Sequence, residues 1–272
     1  MFSLLTEMVS YSFLSRALLV GTLVSLAAAL LGVSLVLKRY SMIGDGLSHV
    51  GFGALSIAFA LNLAPLYVSI PACVIAAFLL LKISENSKIK GDAAIALIAS
   101  SSLAVGVIAT SLSSGLSVDV YGYMFGSILA MQQSDVYISI ALSAAVLIVF
   151  VFCYHKIFAV TFDADFAKAT GVKSGFYNML LALLTALTIV VGMRIMGTML
   201  ISSLIIFPAL TAMRVFRSFK GVILCSAVVS VVCFFFGMVL SYAFSIPTGA
   251  SVVVVNLAVF LIFYVIGKAL KR

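Results

Sequence analysis

Asp45 and His49 are the two side chains whose types and spacing could do chemistry, and they lie in the stretch KRYSMIGDGLSHVGFG from Lys38 to Gly53. On a helix, residues four positions apart share one face and are about 6 Å apart along the axis. A carboxylate and an imidazole at this spacing can share one divalent cation, and their donor atoms suit Zn²⁺, Mn²⁺ or Fe²⁺. The alternative interpretation is a hydrogen-bonded polar pair that steadies helix packing.

Patterns typical of other chemistry are missing from the sequence. It contains no G-x-x-x-x-G-K-[ST] phosphate loop, no H-E-x-x-H and no visible Ser-His-Asp set. We therefore expect that the chain is not an enzyme and does not hydrolyse nucleotide by itself. The second histidine, His155, stands beside Lys156 at the end of an apolar run and is interpreted as an interfacial side chain.

The composition places the polar pair in a membrane protein. Of the 272 residues, 64% are hydrophobic and 9% are charged, and the mean hydropathy is +1.32, whereas a soluble domain is about 25% charged. We predict an all-α polytopic protein that forms a single transmembrane domain over residues 1–272, in contact with membrane lipid. The net charge of +8 does not indicate a nucleic-acid partner, because the cations stand in short clusters between apolar runs, as membrane anchors do.

The apolar residues form nine segments, most of them long enough to cross a hydrocarbon core of about 30 Å. The sixth and seventh segments almost merge at Arg194, so that eight spans is the alternative, and the third and ninth are short. Pro208 removes a backbone hydrogen bond from the seventh segment and is expected to kink or break it. The segments are Phe13–Leu37, Gly44–Leu63, Leu66–Leu81, Ala93–Ser113, Val136–Tyr154, Phe176–Met193, Met196–Met213, Val222–Phe244 and Ala250–Ile266.

The basic residues predict how the chain crosses the membrane. Connections on one side hold 14 of the 16 lysines and arginines, which leaves Arg16 and Arg194 for the other side. By the positive-inside rule the richer side is cytoplasmic, so the N-terminus lies outside and the C-terminus inside the cell. We expect a multi-pass protein of the plasma or inner membrane.

Two connections are too long to be simple turns. The outer one, Gly115 to Asp135, has a short apolar centre and is expected to form a surface or re-entrant helix. The inner one, His155 to Gly175, contains Asp163 as a candidate N-cap, followed by a short amphipathic helix from Ala164 to Thr170 that Gly171 ends. A capped helix on the cytoplasmic face suits the docking of a partner, and an ordinary solvated loop helix is the alternative.

Five sequence blocks, in this order, resemble the permease subunits of the bacterial zinc/manganese/iron ATP-binding-cassette importers, which are type II-like permeases. The resemblance covers essentially the whole chain, and it rests on the five blocks together because any one of them alone would be weak. The blocks are KRYSMIGDGLSHVGFGAL, VDVYGYMFGSILAM, VTFDADFAKATGV, MGTMLISSLIIFPALTA and LSYAFSIPTGASVVVV.

The resemblance implies roles for particular residues. The family's Asp-x-x-x-His in the metal pathway falls on Asp45 and His49. In relatives similar to the zinc permeases an acid often follows Phe-Gly in the outer block, where this chain has Ser127. The residues that match the family's cytoplasmic ATPase-coupling segment are Asp163, Phe166, Ala167 and Gly171.

The same resemblance implies the permease of an ATP-driven divalent metal importer. Such importers work as two permease copies (here a homodimer) with two nucleotide-binding ATPase subunits, and an extracytoplasmic metal-binding protein delivers the ion. No cofactor is bound permanently, and similarity to the zinc permeases favours zinc as the cargo over manganese or iron. Two other functions stay open, namely an ion-coupled secondary transporter that uses the Asp45/His49 pair and a membrane scaffold that transports nothing.

Overall fold

The computed structural model describes residues 10–86, 91–112 and 133–270, and over these ranges the chain forms eleven helices and no strand. The all-α prediction is confirmed. Most of the outer connection Gly115–Asp135, including Ser127, lies outside the described residues. The helices are α1 (Ser12–Leu37), α2 (Ile43–Ala60), α3 (Pro65–Asn86), α4 (Gly91–Leu112), α5 (Gln133–Phe152), α6 (Tyr154–Phe162), α7 (Ala164–Ala169), α8 (Ser174–Met196), α9 (Thr198–Met213), α10 (Phe219–Phe244) and α11 (Thr248–Ala269).

Seven of the described helices are long and apolar enough to cross a bilayer, and the pair α5–α6, bent by 70°, makes an eighth if it is counted as one span. The apolar helix α9 has 16 residues, which is about 24 Å of helix. The expected eight to nine spans therefore correspond to these helices with α9 left out or included. The third and ninth segments were predicted to be short, but α3 and α11 each have 22 residues, because polar residues at their ends continue the helix beyond the apolar run.

Helix α1 is the buried centre of the bundle, and 72% of its span is covered by the rest of the protein. It packs on α5, α8, α9 and α10. Two hydroxyl groups of α10 donate to carbonyl oxygens of α1, Ser230 to Ser25 at 2.9 Å and Ser226 to Ala29 at 3.3 Å. Because lipid supplies no hydrophobic force between helices, such bonds and close packing are what hold the bundle together.

Helix α4 reaches the bundle mainly through α2. A Cβ atom added at Gly53 of α2 would lie 2.6 Å from the carbonyl oxygen of Ser102, and one at Gly46 would lie 2.5 Å from Cγ2 of Ile95. The two backbones are therefore as close as glycine allows. The other faces of α4 are open, since only 17% of its span is buried, against 72% for α2.

Gly197 separates α8 from α9. Its backbone angles, φ 87° and ψ 160°, belong to a region that residues with a Cβ avoid. The sixth and seventh segments are therefore two helices, divided just after Arg194. Helix α9 continues through Pro208 without interruption, so a break there, one of the two expected outcomes, does not occur.

Among the described residues, the basic connections that follow α1 and α9 and that precede α8 lie at one end of the bundle, together with the end of α11. Nζ of Lys38 bonds the side-chain oxygen of Asn178, which ties the end of α1 to the start of α8. A Cβ at Gly267, near the end of α11, would lie 2.6 Å from the carbonyl oxygen of Arg214, just after α9. We refer to this part of the molecule, where α1, α9 and α11 end and α8 begins, as the basic end.

Replacing Gly53 by alanine is expected to push α4 away from α2, because the atom in the way is a backbone oxygen that cannot rotate aside. Overpacking of this kind costs about 1–3 kcal/mol, which outweighs the roughly 0.5–1 kcal/mol gained when alanine replaces glycine in a helix. Size-exclusion chromatography of the detergent-purified protein after heating should show a lower unfolding midpoint. Gly175→Ala is the matched control, since a Cβ there meets nothing within 4 Å, and equal midpoints for the two variants would contradict the contact.

Candidate functional site

The Asp45/His49 pair lies near the beginning of α2, close to the basic end. Nε2 of His49 and Oδ2 of Asp45 are 3.7 Å apart, and the two side chains are 28% and 48% exposed, respectively. This distance is too long for a hydrogen bond, so the two groups face the same space without bonding to each other. If the pair stabilised helix packing, its side chains would be buried and hydrogen-bonded to each other. The side chains of Asp45 and His49 are neither.

The first turns of α2 have one packed face and one open face. Gly44 and Gly46 are buried, and a Cβ at Gly44 would lie 3.0 Å from Cδ1 of Ile205 in α9. The carboxylate of Asp45 stands in the first turn, where the positive end of the helix dipole stabilises negative charge. Ser48 turns its hydroxyl back to the carbonyl oxygen of Asp45, at 2.7 Å. The acid and the imidazole are thus the polar groups that this part of the helix directs outward.

The pair opens into a cavity of about 280 Å³ between α2 and α4. Helix α2 and the residue before it contribute three side chains to the wall, and α4 contributes a largely apolar face. A cavity of this size can hold an ion together with several water molecules. The lining residues are Met42 just before α2, Asp45 and His49 of α2, and Ile95, Ala96, Ala99, Ser100 and Leu103 of α4.

The described residues bring two strong ligands to the cavity, the carboxylate of Asp45 and the imidazole of His49. Among the described residues, no group of three or more His, Cys, Asp or Glu side chains could hold a metal ion together. One carboxylate and one imidazole are too few for tight binding of a divalent transition metal, which usually takes four or more ligands. The arrangement suits transient binding, with further ligands from water, weaker donors or another chain.

The predicted capped helix is present as α7. The backbone N–H of Phe166 donates to Oδ1 of Asp163 at 2.8 Å, so Asp163 is the N-cap. Gly171 ends the turn with φ 86°, and the N–H of Val172 donates back to Ala167 at 2.9 Å. The side chain of Phe166 is 64% exposed, whereas Ala167 is fully buried. Of the two, only Phe166 presents an apolar surface to the outside, while Ala167 fixes the helix to the permease.

A cluster of aromatic rings, which sequence reasoning missed, fastens α6 to the start of α10. Phe219 lies between Phe158 and Phe162 of α6, with ring centroids 5.0 and 5.7 Å away, and Tyr154 stands 5.6 Å from it. The spacing of the three α6 rings at every fourth residue could have indicated one aromatic face. Helix α7 packs on α6 and α8, so the aromatic cluster supports it through α6.

The fold and the open polar pair define a class of protein, a polytopic all-helical membrane protein with ionisable groups facing a cavity. A model of the ABC 3 transport family matches residues 10–267. The chain therefore belongs to the ABC 3 transport family.

Individual relatives match the chain along nearly all of its length. It is 32% identical over 265 residues to the manganese import system permease protein ScaB of Streptococcus gordonii, covering 96% of this chain and 95% of ScaB. It is 29% identical over 253 residues to the high-affinity zinc uptake system membrane protein ZnuB of Haemophilus influenzae, covering 93% and 97%. Among solved structures, PsaBC from Streptococcus pneumoniae in complex with Fab matches with a TM-score of 0.85 and 31% identity, covering 96% and 94%.

Proposed function

We propose that this chain is the membrane-spanning permease of an ATP-driven importer of divalent metal ions, and that Asp45 and His49 form a weak binding site on the ion's path. The observation that carries the proposal is the 3.7 Å pair, part-exposed and open to a cavity, in a family whose relatives are named as manganese and zinc permeases. Two ligands bind an ion weakly enough to release it. The whole chain acts as one permease domain.

Zinc remains the first cation to test, with manganese as its competitor. One carboxylate oxygen and one imidazole nitrogen serve either ion, and the relatives named above are divided between the two metals. The metal is cargo, so no cofactor stays bound to the chain. Uptake assays should therefore present both ions, with Fe²⁺ as the third.

We further propose three protein partners: a second copy of the chain, a pair of ATPase subunits and an extracytoplasmic metal-binding protein. The open face of α4, with Leu97 and Ile108 each more than half exposed, lies beside the cavity. The second copy could pack against this apolar face. The exposed side chain of Phe166 in α7 is suited to bind in an apolar pocket on an ATPase subunit. The other candidate function, an ion-coupled secondary transporter, needs neither an ATPase subunit nor ATP.

Asp45→Ala and His49→Ala are each expected to abolish uptake, because one remaining ligand cannot compete with the hydration shell of the ion. The measurement is uptake of ⁶⁵Zn²⁺ and ⁵⁴Mn²⁺ into proteoliposomes that contain the complete transporter, with and without ATP. His155→Ala is the matched control, since this other histidine is exposed and packs edge-on against Tyr154. Full uptake by either site variant would remove the pair from the pathway, and uptake without ATP would favour the secondary transporter.

Phe166→Ala and Gly171→Ala are expected to uncouple ATP hydrolysis from transport. The first removes the exposed ring of α7, and the second forces a side chain into a backbone with φ 86°, at a cost of about 1 kcal/mol or more. The ratio of metal transported to ATP hydrolysed should fall, while the variants insert normally. Gly175→Ala, four residues beyond Gly171 and in open space, should keep the ratio of the unchanged protein. An unchanged ratio in both α7 variants would contradict the coupling role.

The basic end is expected to face the cytoplasm. Green fluorescent protein fused after Arg272 should fluoresce, and alkaline phosphatase fused at the same point should be inactive, since the first works inside the cell and the second outside. A fusion after Asn62, in the connection between α2 and α3, should give the opposite pair of results. The reverse pattern at the two points would overturn the orientation.

A further inference from the structure

Ser100 is the polar side chain that α4 brings to the cavity. Five α4 residues line that wall, and the other four, Ile95, Ala96, Ala99 and Leu103, are apolar. Residues 96, 99, 100 and 103 lie on one face of α4 by helical spacing. The hydroxyl group of Ser100 therefore borders the same space as the carboxylate of Asp45 and the imidazole of His49.

The hydroxyl groups of α4 fall into two sets. Those of Ser101, Thr110 and Ser111 bond to the backbone of the helix, and those of Ser100 and Ser102 do not. Ser101 donates to the carbonyl oxygens of Leu97 and Ile98 at 2.8 and 3.1 Å, and Thr110 and Ser111 donate to Val107. Folding back in this way is how a hydroxyl satisfies itself in an apolar helix. Ser100 makes no such bond to the described part of the chain and is exposed, so its hydroxyl is available to a ligand in the cavity.

The contact between α2 and α4 fixes where Ser100 stands. Gly46 packs against Ile95 and Gly53 against the backbone of Ser102, and these two contacts lie on either side of Ser100 along α4. With both contacts made, α4 has little freedom to rotate about its axis or to slide along α2. The hydroxyl is thus held opposite the Asp45/His49 pair by the tightest contact of the two helices.

We propose that Ser100 is a specificity-determining contact of the ion path, whose hydroxyl oxygen binds the divalent ion or its retained water opposite Asp45 and His49. This inference rests on the metal-pathway proposal above. A neutral oxygen adds a ligand without adding the charge that would trap the ion. Because oxygen donors suit Mn²⁺ while imidazole suits Zn²⁺, the hydroxyl raises the transport of manganese relative to zinc.

The test is competitive uptake of ⁵⁴Mn²⁺ and ⁶⁵Zn²⁺ by proteoliposomes holding the complete transporter and ATP. Ser100→Ala should lower the manganese-to-zinc uptake ratio about threefold to tenfold, the worth of one hydrogen-bond-sized interaction. Ser100→Thr keeps a hydroxyl and should restore most of the ratio. Ser101→Ala is the matched control, because that hydroxyl is already bonded within α4, and it should leave the ratio unchanged.

An unchanged ratio in Ser100→Ala, or an equal change in Ser101→Ala, would overturn the inference. Asp45→Ala is run in parallel to separate the two proposals. If Asp45→Ala is inactive while Ser100→Ala keeps the ratio, only the role of Ser100 fails, and if Asp45→Ala transports both ions fully, the pathway itself fails.

A second experiment measures metal binding near position 100 independently of transport. In a background whose four cysteines (Cys73, Cys153, Cys225 and Cys233) are replaced by serine or alanine, Ser100→Cys should react with a water-soluble maleimide. Mn²⁺ or Zn²⁺ should slow that reaction while Asp45 and His49 are present and should not slow it in Asp45→Ala. Labelling of Ser101→Cys should be insensitive to metal, and metal-insensitive labelling at position 100 as well would contradict the proposed contact.

Discussion

The close approach of α2 and α4 is the contact on which the site depends. Gly53 lets the backbone of α2 reach the carbonyl oxygen of Ser102, and Gly46 makes room for Ile95. In lipid, two helices gain little from hydrophobic burial against each other, so attraction relies on such short-range packing. The position of the α4 wall of the cavity therefore depends on Gly46 and Gly53 having no side chain. Helix α4 is otherwise largely uncovered and has few other contacts that could hold it in place.

Many buried hydroxyl groups of the described bundle bond to backbone oxygens. Thr185 donates to Leu181 at 2.7 Å and Ser230 to Ser25 at 2.9 Å, whereas the hydroxyls of Ser34 and Ser56 have no partner in the described part of the chain. A buried polar group without a partner is costly, because water is not available to replace it. The carboxylate of Asp45 and the hydroxyl of Ser100 find none at bonding distance among the described residues. Neither group is buried, and both border the cavity between α2 and α4.

The features that could be predicted from the sequence are those that depend on residues close together in the chain. The N-cap at Asp163 and the stop at Gly171 depend on side chains within one turn of the helix they bound, and both were predicted correctly. The Asp45/His49 spacing likewise fixes one shared face. The beginnings and ends of most spans followed from hydropathy alone, within a few residues.

What the sequence did not yield depends on residues far apart in the chain. The sequence predicts a connection over the residues that form α6, because the rings of Phe158 and Phe162 pack at an angle against Phe219, more than fifty residues later. The opposite wall of the cavity, with Ser100, requires knowing that α4 lies on α2. Serine is common in membrane helices, and no local pattern separates this hydroxyl from the ones that fold back on the backbone.

Under the proposed function, motion at α7 would reach the Asp45/His49 pair through packed helices. Helix α7 rests on α6 and α8, α6 packs on α1 and α8, and α8 and α9 in turn contact α2. These are rigid helices in direct contact, so a push on α7 is not lost in flexible loops. Since α4 is held chiefly by α2, a displacement of α2 either carries α4 along or opens the contact at Gly53. In the second case the cavity would change shape around Asp45 and His49, as the proposed binding and release of an ion requires.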